Sequence, residues 1–207
     1  MKRVFNLLVV DESGSMSAIR SQALAGINET LATIGKMQKA HKQLEQCVTL
    51  ITFDSNHKNV IYDNETANHA RPLHSKDYNP RGATPLYDAI GIGIAKVNAL
   101  ATEEDSVLVT IITDGEENCS EEYDLQMIKN LIAKLKKQNW TFTFIGTDDL
   151  DVENIALGMG IDNHLRFQED EAGTREMFAR ENRARERYYK CRAADRPVET
   201  GCYFREK

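Results

Sequence analysis

The chain has 207 residues, of which 41% are hydrophobic, and a formal net charge of −6. That length suits one domain with a short appendage, and the apolar share is enough for a core. The negative balance argues against general electrostatic binding to nucleic acid or anionic membrane, and no apolar run approaches the ~20 residues of a membrane span.

The opening stretch, MKRVFNLLVV, starts like a signal peptide. It then runs into Asp11 and Glu12 with no small-residue cleavage site, so residues 4–10 are read as a strand. Ile19, Ala23, Ile27, Leu31, Ile34 and Met37 recur at helical spacing and predict an amphipathic helix. Residues 48–53 and 60–62 read as strands, the second polar-flanked and at an edge. A loop rich in Asn, His and Pro follows over 63–83. Leu86, Ile90, Ile94 and Val97 mark a second helix. SVLVTIIT, residues 106–113, is so apolar that both faces must be covered, as in the centre of a parallel sheet. Leu125, Ile128, Leu131, Ile132 and Leu135 give a third helix, 140–145 a strand, 152–157 a short helix and 164–167 a short strand.

From Gln168 onward the chain is charged and helix-prone. Arg175, Arg180, Arg183, Arg185, Arg187, Lys190 and Arg192 stand against only Glu176, Glu181 and Glu186, which reads as a solvated helix face. Met177, Phe178, Tyr188 and Tyr189 are the residues able to pack back onto the sheet. Residues 191–207, with Pro197 and Gly201, are taken as a C-terminal extension forming a turn or a partner-binding segment. The four cysteines, Cys47, Cys119, Cys191 and Cys202, are scattered with no CxxC pair. That suits free thiols in a reducing cytoplasm better than a disulfide framework or a zinc site.

Strand–helix alternation predicts an α/β sandwich with a mainly parallel sheet. Such folds place their sites at the carboxyl ends of strands, where the strand order reverses. Asp11-Glu12-Ser13-Gly14-Ser15 follows the first strand, and Asp114-Gly115-Glu116-Glu117-Asn118 follows the most apolar one. RGATPLYDAI, residues 81–90, precedes a helix. Together these stretches hold two carboxylates, Asp11 and Asp114, and three hydroxyls, Ser13, Ser15 and Thr84. An oxygen-only donor set suits Mg²⁺, Mn²⁺ or Ca²⁺.

Each stretch has an ordinary reading as well. Ser15 or Ser17 can N-cap the first helix. Thr84 can cap the second, with Pro85 at its first position. Glu116, Glu117 and Asn118 suit the N-terminus of the next helix. Three coincidences at one sheet edge favour the ion. An EF-hand loop from Asp11 would need glycine at Met16 and glutamate at Gln22, and there is no Walker loop, GxGxxG or GxSxG. A Mg²⁺-dependent phosphohydrolase using Asp11 is one alternative, weakened because Ser13 stands where that pattern has a second Asp. A nucleic-acid-associated protein using the arginine-rich tail is another. His41, His57, His69, His74 and His164 show no HxxxH spacing and read as surface or loop residues; His69 and His74 precede Thr84 and are candidates for partner contact.

DESGS resembles the DxSxS signature of the von Willebrand factor A-type domain, GATPLYDAI resembles that family's threonine loop, and TDGEEN its aspartate loop, in the family's order. The resemblance covers roughly Lys2 to the region of Phe167, and the domain is placed at 1–190. It implies a Rossmann-like three-layer sandwich, its mainly parallel sheet carrying one antiparallel edge strand, with a metal-ion-dependent adhesion site. Ser13 and Ser15 would touch the ion, Thr84 directly or through water, and Asp11 and Asp114 would hold ligand waters and hydroxyls from behind. Hydroxyls are neutral ligands, so such a dication is under-neutralised and takes an Asp or Glu from a protein partner. The expectation is a cytoplasmic, non-enzymatic, Mg²⁺-dependent protein-binding module, with Mn²⁺ or Ca²⁺ as alternative ions. Gly14 is expected to supply the tight turn that lets both serines converge.

Overall fold

A computed structural model describes residues 2–196, 198 and 201–205. Strand β1 (Lys2–Asp11) is buried from Val4 onward, as its run of apolar residues requires. It leads through a short 3-10 turn (Ser15–Ile19) into α1 (Arg20–Ala40) and β2 (Leu44–Phe53). β3 (Lys58–Thr66) turns back at the sheet edge with intermediate burial. Then come α2 (Leu86–Asn98), β4 (Ser106–Thr113), α3 (Leu125–Leu135), β5 (Trp140–Thr147), α4 (Val152–Gly158), β6 (Asn163–Phe167) and α5 (Glu171–Ala193).

Among the described residues, six strands lie in the order β3-β2-β1-β4-β5-β6. Every neighbouring pair is parallel except β2 with β3. This is the α/β sandwich expected from the alternation of elements, in three layers. β1 divides its side chains between the layers: Leu7 and Val9 join the core under α2, α3 and α4, while Leu8 and Val10 join the core under α1 and α5. The chain winds away from β1 through α1 to β2 on one side and reaches β4 on the other. The strand order therefore reverses between β1 and β4, and Val10 pairs with Ile112 there, which sets Asp11 beside Thr113 at the crevice.

The edges extend further than the periodicity indicated. β2 starts at Leu44, and β3 spans nine residues rather than three. Polar Glu45 and Gln46 hide the start of β2 from a hydrophobicity count, yet Gln46 is fully buried in the sheet. The stretch after β3 contains a single-turn helix at Ser75–Asp77. It is pinned to α1 by Asn28, whose side chain donates to the Leu73 carbonyl at 3.0 Å and accepts from its N–H at 2.7 Å.

The solvated face expected for α5 is overturned at Arg185, which is 0% exposed. Its guanidinium donates to Glu181 at 2.7 Å, Thr110 at 2.7 Å and Asn6 at 3.0 Å. Burial works against the charge, but the Glu181 carboxylate outweighs it and keeps Arg185 protonated. Asn6, the one polar residue in the run of β1, is thereby explained as an acceptor facing α5. Met177, Phe178, Tyr188 and Tyr189 do pack against the sheet. Beyond α5, Tyr203 and Phe204 enter the same core, and the Tyr203 hydroxyl donates to Glu181 at 3.0 Å. Arg183 pairs with Glu176, and Arg192 lies over the Tyr188 ring. Among the described residues, no helix is long and apolar enough to cross a membrane.

Candidate functional site

β1 delivers Asp11, fully buried, to the crevice. One carboxylate oxygen accepts from the Ser13 N–H at 2.6 Å, closing a local turn directly after the strand. The other accepts from the Thr113 hydroxyl on β4 at 2.5 Å. That turn places the Ser13 and Ser15 hydroxyls 3.1 Å apart. Ser13 is only 2% exposed, whereas Ser15 stands at the mouth and donates to Asp114 Oδ1 at 2.8 Å. Thr84 is buried, and a Cβ built on Gly115 would lie 3.0 Å from its Oγ1. Its hydroxyl therefore rests against the backbone just after Asp114. All five residues singled out in the sequence come together here.

The three loops are tied by their backbones. Gly14 N–H donates to the Gly82 carbonyl at 3.1 Å and Arg81 N–H to the Glu12 carbonyl at 2.8 Å. Asn118 accepts from the Thr84 N–H at 2.9 Å and its own N–H donates to the Thr84 carbonyl at 3.2 Å. From below, the buried Tyr78 hydroxyl donates to the Asp11 carbonyl at 2.6 Å.

Several local expectations are corrected. Gly14 has φ −60°, an ordinary right-handed conformation, and an added Cβ would meet its nearest neighbour at 3.4 Å. The position that requires glycine is instead Gly82 in the neighbouring stretch before Thr84, at φ +70°, where a Cβ would fall 2.5 Å from Ser55 Oγ. Replacing Gly82 with alanine should thus destabilise by about 1–3 kcal/mol, and the same change at Gly14 by under ~1 kcal/mol. Urea unfolding of both variants checks this, and equal losses would contradict it.

Neither Ser15 nor Ser17 caps α1, because the 3-10 turn intervenes. Thr84 does not cap α2 either: the capping position falls on Pro85, which makes no side-chain cap bond. Glu117 does that work instead, accepting from the Tyr87 N–H at 2.9 Å. Glu116, Glu117 and Asn118 do not open the following helix, since α3 begins at Leu125 and is capped by Asp124, which accepts from Met127 N–H.

The electrostatics separate the carboxylates at the strand ends. Asp54, directly after β2, has burial working to raise its pKa. Bonds from the Asn56 N–H, the Arg81 guanidinium and the His57 N–H outweigh burial and hold it below the ordinary value. Asp11 is pushed up to about 6 by burial, against the bonds from Thr113 and Ser13. Asp114 is also pushed up to about 6, first by burial and then by the charge of Asp11. None of the groups acting most strongly on either is cationic, and Asp114 Oδ2 is buried with no partner. Two buried carboxylates and three hydroxyls thus converge with no cationic side chain among the groups acting most strongly on the carboxylates. Among the described residues there is no cluster of three or more His, Cys, Asp or Glu that could hold a metal. The donor set here consists mostly of hydroxyls, all oxygen, and it fits a hard dication.

Sequence reasoning missed Asp54 and Glu12. Asp54 had a legible signal, a carboxylate immediately after an apolar strand. Its partner Arg81 lies 27 positions away and gave none.

The sequence profile of the von Willebrand factor type A domain matches residues 7–189. No curated protein matches the chain. Among solved structures, the vWF domain of the type V pili tip protein Mfa5 from Porphyromonas gingivalis superposes with a TM-score of 0.65 at 11% identity, over 91% of this chain and 96% of that one. A mutant of the PilB minor pilin from Streptococcus sanguinis gives 0.62 at 13%, over 95% of this chain and 64% of the pilin. The pilus adhesin SpaC from Lactobacillus rhamnosus GG gives 0.63 at 17%, over 88% and 30%. The chain spans less than two thirds of the pilin and of the adhesin. At these identities the likeness is one of fold.

Proposed function

We propose, from the premise that the chain belongs to the von Willebrand factor type A domain family, that it is a non-enzymatic, divalent-cation-dependent protein-binding module whose ion takes an Asp or Glu side chain from a protein partner. The observation that carries this reading is the pair of buried carboxylates, raised to about 6 with no cation acting strongly on them, beside three converging hydroxyls. Ser13, Ser15 and Thr84 are the ligands we assign to Mg²⁺, with Mn²⁺ or Ca²⁺ as alternatives. Asp11 and Asp114 hold the surrounding hydroxyls and waters. The bound dication supplies a Lewis-acidic centre left under-neutralised by its hydroxyl ligands, which is what attracts a carboxylate.

Two features support this over the phosphohydrolase reading. Asp11 is fully buried, and both of its oxygens already accept hydrogen bonds, from Ser13 and Thr113. That suits a residue which positions others rather than one which attacks a substrate. Thr84, relieved of capping by Glu117, has its hydroxyl at the site. The proposed location is a reducing cytoplasm, supported by four unpaired cysteines.

The test is capture of partners from the native cell in Mg²⁺ against EDTA. A partner retained by wild type only in Mg²⁺, and lost with Ser13→Ala/Ser15→Ala, is the expected result. Retention by that variant, or in EDTA, would remove the metal from the mechanism. Thr84→Ala should weaken partner capture far more than Mg²⁺ binding, while Thr84→Ser keeps most of both. Equal partner binding by wild type and Thr84→Ala would leave the hydroxyl without the role assigned to it.

A further inference from the structure

Beside the ion site, the loop that carries DESGS has a second unmet demand. Glu12 follows Asp11 and is bonded to the stretch that leads to Thr84. It is 4% exposed. One carboxylate oxygen accepts from the Asn79 N–H, while the other is buried and has no partner. A buried carboxylate oxygen without a donor is costly and calls for a compensating group. The same side chain lines a cavity of about 350 Å³. Ile61 on β3 forms part of its wall, and the exposed residues Asn59 and Asn79 stand at its rim.

We propose that Glu12 anchors a second subsite, one that takes a guanidinium or ammonium group from the protein partner. The cavity is far larger than the ~30 Å³ share of one water, so it has room for the end of an Arg or Lys side chain. One carboxylate oxygen with amide neighbours suits an N–H donor better than a bare dication, which wants several oxygens at short range. The basic residues around it do not fill the role. Arg81 is engaged elsewhere, donating to Asp54 at 3.1 Å and bonded to the His57 ring at 2.8 Å. Lys76 is exposed at the rim.

The inference deepens the metal-dependent reading and rests on it only for the nature of the partner. Glu12 and Ser13 are consecutive, so one short peptide can meet both sites.

The probes are ethylguanidinium and ethylammonium, titrated in EDTA and followed by the backbone amide resonances of the ¹⁵N-labelled chain. Saturable shifts are expected at the Glu12, Ile61 and Asn79 amides. Glu12→Gln, which keeps the oxygen that accepts from Asn79, should weaken the probes about tenfold, the loss of one charge-assisted contact. Lys76→Ala removes a like charge at the rim and should tighten them. The absence of saturable shifts at these amides in wild type overturns the subsite, as does equal binding by Glu12→Gln. Mg²⁺ added to the same sample reads the other site separately, through the Ser13, Ser15 and Gly115 amides. Failure there with the probe response intact would sink the metal reading and leave the subsite standing.

Discussion

Replacing Arg185 with alanine should lower the free energy of unfolding by about 3–5 kcal/mol, the cost of leaving one member of a buried ion pair alone. At ~2–4 °C per kcal/mol for a chain of this size, the melting temperature should fall by roughly 6–20 °C. The guanidinium is fully enclosed, and Glu181 facing it is 1% exposed. Without Arg185 the carboxylate keeps the Tyr203 hydroxyl, while Asn6 and Thr110 lose the donor that α5 supplies. A second variant separates lost pairing from lost packing. Arg185→Met with Glu181→Leu fills a similar volume without charge and should recover most of the loss, since apolar replacement of a buried pair is often neutral or stabilising. Urea unfolding at pH 7 is the measurement. A loss under ~1 kcal/mol for Arg185→Ala would show that the network does not hold α5 and the Tyr203 segment to the sheet.

Replacing Asp114 with asparagine should have opposite effects with and without metal. Burial and the charge of Asp11 push Asp114 from its ordinary 3.8 up to about 6. A carboxylate raised that far costs at most ~3 kcal/mol at pH 7, and solvent at the mouth of the site reduces this to about 1–2 kcal/mol. In EDTA, Asp114→Asn should therefore melt higher than wild type. The raised pKa means that the folded state binds protons more tightly than the unfolded one. Wild-type stability from this source is intact below about pH 4 and falls as pH rises through about 6. The advantage of the variant should accordingly vanish near pH 4 and be complete at pH 7. With Mg²⁺ at a hundredfold excess over its dissociation constant, wild type should gain ~2.7 kcal/mol by mass action, and Asp114→Asn little or none. A wild-type melting temperature unmoved by millimolar Mg²⁺, Mn²⁺ and Ca²⁺ would contradict the metal reading, and equal gains in both proteins would take Asp114 out of the site.

The fold and the position of the site were legible in the sequence because both depend on short-range pattern. Five apolar residues among the eight of Ser106–Thr113, with no charge between them, require cover on both faces, and the structure places β4 inside the sheet. Helical stripes between apolar runs imply parallel strands with crossovers, and that topology sets the ends of β1 and β4 side by side. Three polar stretches at strand and helix boundaries therefore had to converge, and Asp11, Ser13, Ser15, Thr84 and Asp114 do.

The tertiary structure alone decided which polar residues are satisfied and by what. Arg185 looks like one more charge on a mixed helix until Asn6, 179 positions away, is brought beneath it. Thr84 has every local mark of a helix cap, yet Glu117 from the aspartate loop takes that task, 30 positions from the N–H it accepts. Gly14 looks like the essential glycine in DESGS, but Gly82 has the positive φ, because its loop must pass against Ser55. Asp54, Asp11 and Asp114 all follow apolar strands. The Asn56 and His57 N–H groups and Arg81 hold the first below its ordinary value, whereas burial raises the other two with no cationic side chain among their strongest neighbours. Hydrophobic periodicity is a property of neighbours along the chain, whereas the compensation of a buried charge depends on which distant segments the packed layers bring within hydrogen-bonding reach.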